Sequence, residues 1–192
     1  MLAVMNRARA RRVKALAVLV AAVAAISVSP ASASAQTAAC AGAQATASAV
    51  APSSVRVALR CLVNAIRAQH GLEPVTPSSR LNLAAQRHGA DMVARRFFDH
   101  VSPSGGTLSK RVSRAGYLAS ASEWTLGEDI GWAPEGEATP AALLDAWMNS
   151  AAHRAVILEP VYREVGIGVA AGVPAAAGGP GTTFVLDLGV TS

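Results

Sequence analysis

The sequence predicts a mixed α+β sandwich, with helices on both sides of a small sheet. Three observations carry that prediction. Apolar residues recur at steps of three and four between residues 53 and 96, which is the period of a helix. Two apolar runs near the end, "EVGIGVAAGV" and "TTFVLDLGV", flank the Ala/Gly/Pro-rich "PAAAGGPG" and read as antiparallel strands joined by a hairpin loop. The order helix, helix, short helix, strand, helix, strand, strand then places helices before and between the strands of one sheet.

The first 35 of the 192 residues stand apart. Arg7, Arg9, Arg11, Arg12 and Lys14 precede the apolar run "ALAVLVAAVAAISV", then Pro30 and the small-residue string "ASASA". Basic, apolar, small is the layout of a secretory signal peptide. The apolar run is shorter than the roughly 20 residues that span a bilayer, and Ala33-Ser34-Ala35 puts cleavage after Ala35. An uncleaved anchor ranks behind this. A lipoprotein signal ending at Cys40 ranks lower still, because "TAAC" has no branched aliphatic residue three positions before the cysteine.

Cleavage changes the charge. Five of the 17 basic residues and none of the 12 acidic ones lie in the leader, so residues 36–192 carry 12 of each. Nucleic-acid binding needs a persistent cationic surface and is not expected of a formally neutral chain. The 157 residues that remain suit one domain with one core, a monomer without a membrane span. Cys40 and Cys61 both follow the cleavage site, and in an exported chain two cysteines most simply pair. Such a bridge contributes about 3 kcal/mol in the chain-entropy model.

Residues 36–52, rich in Ala, Thr, Ser and Gln and without apolar periodicity, read as a flexible linker that carries Cys40. From Ser53, the positions Val55, Leu59, Leu62, Val63 and Ile66 make one helical stripe, and Gly71 stops the helix. "EPVTPSS" reads as a turn whose Ser78 or Ser79 caps a second helix, Arg80 to Arg96. Leu81, Ala84, Ala85, His88, Met92 and Val93 share its buried face, and Phe97 and Phe98 are expected to anchor the turn beyond. Gly105-Gly106 leads into the short helix "TLSKRVSRAG". "WTLGEDIGWA" has strand character around Glu128, and Pro140 opens a helix interrupted near Ser150.

Four histidines are the first candidates for chemistry. His70 precedes Gly71, where a cation interacts well with the helix dipole. His88, mid-helix among apolar neighbours, reads as a core or boundary side chain. His100 and His153 each fall at a break after a helical element, in "FFDHVSP" and "WMNSAAHR", where side chains are aimed toward clefts. Glu128, on one strand face with Leu126, Ile130 and Trp132, needs partners once buried, and the two histidines would serve. Two imidazoles and a carboxylate also suit zinc with an open fourth position, although not at the compact H-E-x-x-H spacing. A serine hydrolase through Ser150 and His153 lacks the G-x-S-x-G elbow, and Ser150 is more simply the N-cap of a helix from Ala151.

The ordered segments "CLVNAIRAQHGLEPV", "LNLAAQRHGADMVARRFFDHVSPSGG", "GYLA", "LGEDIGWA", "AWMNSAAHRAVILEPVYREVGIGVA" and "FVLDLG" resemble the CAP superfamily of cysteine-rich secretory, antigen 5 and pathogenesis-related proteins. The likeness is strongest to short secreted bacterial members and covers roughly residues 56–189. It implies an α-β-α sandwich with a central antiparallel sheet over residues 53–192, and a cleft holding two histidines and two acids. His100 matches the histidine of F-x-H-x-S-P. Glu128 matches the glutamate of G-E-N-I, here "GEDI" with Asp129 for Asn. His153 matches the histidine of S-x-G-H-R, here "SAAHR". The second family glutamate, three residues past a tryptophan, falls on Ser150 when counted from Trp147, so the tetrad is short of one carboxylate.

The resemblance implies a secreted or envelope-associated protein whose partner is an extracellular protein, a lipid or an envelope ligand. Three functions follow, in order of expectation. The first is a binding module whose His/Glu cleft takes a divalent metal such as zinc or a small or lipid-like ligand. The second is a purely structural polar cluster. The third is a metal-dependent hydrolase, with His100 and His153 holding zinc and Glu128 as ligand or base.

Overall fold

The computed structural model describes residues 40–174 and 179–192. The expected signal segment and its cleavage site lie outside the described residues. The helices are α1 (Pro52–Gln69), α2 (Ser79–Arg95), α3 (Leu108–Arg114), α4 (Pro140–Asn149) and α5 (Ala151–Ile157). The strands are β1 (Thr76–Pro77), β2 (Trp124–Pro134), β3 (Glu164–Ala171) and β4 (Gly181–Thr191). Their spatial order is β1-β3-β4-β2. β4 pairs antiparallel with β2 on one side and β3 on the other.

The sheet has helices on both faces, as expected. Its larger core lies against α1, α4 and α5, where Leu59, Leu62, Val63, Trp147 and Ile157 meet Val165, Ile167, Phe184, Leu186 and Leu188. On the other face α2 and α3 cover two smaller clusters, Leu81, Ala84, Val112 and Tyr117 in one, and Ala85, Met92, Ile130 and Val185 in the other. Period-2 alternation separates the two cores: Phe184, Leu186 and Leu188 face one, Val185 and Asp187 the other. Helix α2 lies directly on β3. A Cβ at Gly166 or Gly168 would run into the main chain at Leu81 or Ala85, so only glycine lets the two backbones approach.

Three expectations are corrected. The stretch "EPVTPSS", expected to be a turn, also contributes β1, which pairs parallel with the start of β3 at the edge of the antiparallel sheet. Beyond that two-residue pairing, side chains close the β3 edge. Asn82 Oδ1 accepts from Ile167 N (2.7 Å), Gln86 bonds both polar groups of Val169 (3.1 and 3.0 Å), and Arg56 Nε donates to Ile167 O (3.0 Å).

The second correction concerns the linker. From Cys40 onward, residues assigned to it are packed: Cys40, Ala43 and Ala47 are buried, and Ala47–Ala49 form a 3-10 turn. Ala47 N donates to Ala138 O (2.8 Å) and Ala141 N to Ala43 O (2.9 Å). Alanine is small enough to lie flat in this layer, and the Cys40–Cys61 disulfide ties the segment to α1.

The third concerns capping and anchoring. Ser78 and Ser150 occupy the N-cap positions of α2 and α5, but neither side chain makes the capping bond. Of the two phenylalanines only Phe97 anchors, packing on the Met92 cluster with its ring centroid 5.9 Å from that of His88. Phe98 stays 46% exposed.

Candidate functional site

Glu128 is where the fold concentrates charge. Strand β2 places it on the α2 side of the sheet, directly opposite Asp187 of β4. Its side chain is 3% exposed. His100, on the loop after α2, donates from Nδ1 to Glu128 Oε1 at 2.7 Å. Arg111, on α3, donates a guanidinium N–H to the other oxygen, Oε2. His88 Nε2 lies 4.0 Å from Oε2 and donates to Asp99 O at 3.0 Å, which ties α2 to the His100 loop. The carboxylate therefore spends both oxygens on two donors.

Burial pushes the Glu128 carboxyl up, but the His100 hydrogen bond and the Arg111 and His88 charges outweigh it, and the net direction is down. His100 moves up, chiefly through that hydrogen bond. His88 is lowered by burial. Asp187 is fully buried, neither oxygen has a hydrogen-bond partner, and burial together with the Glu128 charge opposite pushes it well up. Like charges directly across a strand pair repel, and the two carboxyls move apart, Glu128 down and Asp187 up. Asp129 points to the other face of the sheet. It is 1% exposed and raised to about 8 by burial.

Of the three residues singled out by sequence, the structure joins His100 to Glu128. His153, on α5, makes no bond to either; its buried Nδ1 has no partner, and burial and the His100 charge lower its pKa. Ser150 is an extended break between α4 and α5, so the interruption falls where expected. Sequence reasoning missed Arg111 and Asp187 and left His88 outside the site. Period-2 alternation in "FVLDLG" was signal enough for Asp187, a carboxylate on the Val185 face, and the apolar face of α2 already carried His88. No sequence signal marked Arg111.

The donor set does not fit a divalent cation. Among the described residues no group of three or more His, Cys, Asp or Glu side chains is arranged to hold one. The physical reason is on Glu128 itself: Arg111 holds a fixed positive charge against one oxygen and repels a dication brought to the same carboxylate. Among the described residues no helix is long and apolar enough to cross a membrane.

A family model described as the cysteine-rich secretory protein family matches residues 61–181. The chain is 36% identical over 121 residues to YkwD of Bacillus subtilis (strain 168), covering 62% of this chain and 44% of YkwD. It is 31% identical over 108 residues to the membrane protein YlbC of the same organism, covering 56% of this chain and 29% of YlbC. The chain thus spans less than half the length of these curated relatives. Two solved structures share the fold. One is an extracellular SCP-domain protein of Bacillus anthracis, at 23% identity and TM-score 0.56 over 72% of this chain and 43% of that one. The other is an outer surface protein of Borrelia burgdorferi, at 16% identity and TM-score 0.62 over 74% of this chain and 97% of that one.

Proposed function

The chain belongs to the cysteine-rich secretory protein family, and on that premise we propose that it is a non-catalytic binding module working outside the cytoplasm. Its ligand is small and lipid-like, held at the surface that His100 and its neighbours form. The observation that carries this is the double occupation of Glu128 by His100 and Arg111. A general base needs raised basicity, and the His100 hydrogen bond and the Arg111 charge hold this carboxyl down. A zinc hydrolase needs an open ligand set, which the guanidinium closes.

What is left for a ligand is the outer rim. His100 is 55% exposed along its side chain, and Phe98 and Val101 on either side of it expose 46% and 45% of their surfaces. Exposed apolar side chains near the imidazole and the exposed Asp99 carboxylate set apolar area beside polar groups, which suits an amphiphile. Export through the 1–35 leader, with cleavage after Ala35, accords with the Cys40–Cys61 disulfide and with the extracellular and outer-surface descriptions of the two fold neighbours.

Titration with a fluorescent long-chain alcohol tests the proposal. Saturable binding is expected, with Kd on the order of micromolar and weakened at least about tenfold by Phe98→Ser/Val101→Ser. No saturation, or equal affinity in the variant, overturns it and leaves the Glu128 cluster as structural support. Calorimetry with zinc is the second arm. Zinc binding that disappears in His100→Ala/His153→Ala would reinstate the metal-dependent alternatives.

A further inference from the structure

Beside the Glu128 cluster, between α2, the Ser102–Gly106 turn and α3, lies a cavity of about 270 Å³. Arg87, Arg95, Arg111 and Arg114 line it, and Asp91 is the one carboxylate among its lining residues. Residues 36–192 carry equal numbers of acidic and basic side chains, so four arginines to one aspartate is a local concentration and not an overall excess. His88, also in the wall, is lowered by burial.

The four guanidiniums differ in what they have left to give. Arg111 is committed to Glu128 and to the carbonyls of His100 and Gly106 (2.7 and 2.8 Å). Arg95 reaches Asp91 at 3.5 Å and Ser104 Oγ at 3.3 Å. Arg87 and Arg114 make no ion pair among the described residues and stand exposed at the rim. The turn is shaped to hold its hydroxyls at the wall. Ser102 Oγ accepts from Gly106 N at 3.0 Å and lies 3.1 Å from Ser104 Oγ, and a Cβ on Gly106 would strike Ser102 Oγ.

We infer that this cavity binds the phosphate group of a phosphate-bearing ligand, through Arg87, Arg114 and Arg95 with the Ser104 hydroxyl. Like charges gathered in one concavity repel each other when empty and focus the field on an incoming anion. A carboxylate offers two oxygens, whereas a phosphate offers at least three acceptors and up to two negative charges, the better match to several planar donors. The volume suits a head group rather than a whole drug-sized molecule. The site is independent of the amphiphile proposal, since Phe98 and Val101 do not line it.

Inorganic phosphate, titrated at low ionic strength and followed by 1H–15N NMR of backbone and arginine Nε–H groups, tests the inference. Saturating shifts at Arg87, Arg114 and Ser104 are expected, with Kd on the order of 1 mM or tighter. Arg87→Ala/Arg114→Ala should weaken binding at least about tenfold while leaving thermal stability unchanged, because both side chains are exposed. Shifts that stay linear in phosphate, or an unchanged Kd in the variant, would overturn the site. Acetate binding as tightly as phosphate would overturn the ligand class. The uncharged alcohol probe should bind the arginine variant normally, which keeps failure here distinct from failure of the amphiphile proposal.

Discussion

Arg67 and Arg111 are two arginines that the fold draws out of water by different means. Arg67, on α1, is completely buried and spends its guanidinium on main-chain carbonyls: Glu73 O (2.9 Å), Ile157 O (2.7 Å), Glu159 O (2.9 Å) and Tyr162 O (3.4 Å). It closes the C-terminal end of α5 and the turn after α1, where last-turn carbonyls otherwise lack partners. Arg111, 9% exposed along its side chain, meets two carbonyls and a full negative charge on Glu128. The first satisfies dipoles and locks connections together. The second neutralises a carboxylate that the sheet would not otherwise tolerate, and so decides what that carboxylate can do. Burial of an arginine thus marks architecture in one region and site chemistry in the other, and the partner tells them apart.

Breaking the first region should have the largest effect. Arg67→Ala leaves buried carbonyls without donors and opens a cavity, and we expect a loss of about 3–5 kcal/mol in urea unfolding. A loss below about 1 kcal/mol would mean that water replaces the guanidinium freely. In the second region, Arg111→Met strands the Glu128 charge and should lose about 3 kcal/mol. Combined with Glu128→Gln it should recover a large part, since removing both charges is gentler than removing one. Additive losses in that double-mutant cycle would show that the two side chains act separately.

Asp129 offers a pH readout. Its folded-state value, about 8, lies above that of an unfolded aspartate, so its contribution is fully present below about pH 3.9 and is lost as pH rises through about 8. Asp129→Asn should therefore flatten the fall in stability between these limits and gain roughly 1–3 kcal/mol at pH 8. An unchanged pH slope would refute that assignment. The smallest effect belongs to His100→Ala. With more than half of its side chain exposed, screening reduces what the ion pair contributes, and the change should stay under about 1 kcal/mol. What it contributes is present below the usual histidine range and fades as pH rises through the raised value, so wild type and variant should converge in alkaline solution.

Much of the architecture was legible because its signals are local. Helical stripes in α1 and α2, the break at Ser150, the paired late strands and the strand character of "LGEDIGWA" each follow from residues within one or two turns or strand repeats. The segment from Cys40 to Ala51 was misjudged because its Ala-rich composition is neutral by itself. Only α1 and α4 beside it, and the disulfide, make it part of the core. Strand β1 escaped for the same reason, two residues being too few to carry a period.

At the site, His100 and Glu128 could be named from the chain alone, since a histidine at a helix break and a carboxylate in an apolar strand each contradict their surroundings. Their pairing rests on a chain separation of 28 residues being folded back, and Arg111 enters only because α3 brings a residue of an ordinary basic helix against that carboxylate. Composition, periodicity and motif order determined the family, the layers and the residue types available. Which charge meets which, and therefore whether Glu128 is free for a metal or held by a guanidinium, was decided by tertiary structure. Electrostatic energy depends on distance and burial, and neither is set by position along the chain.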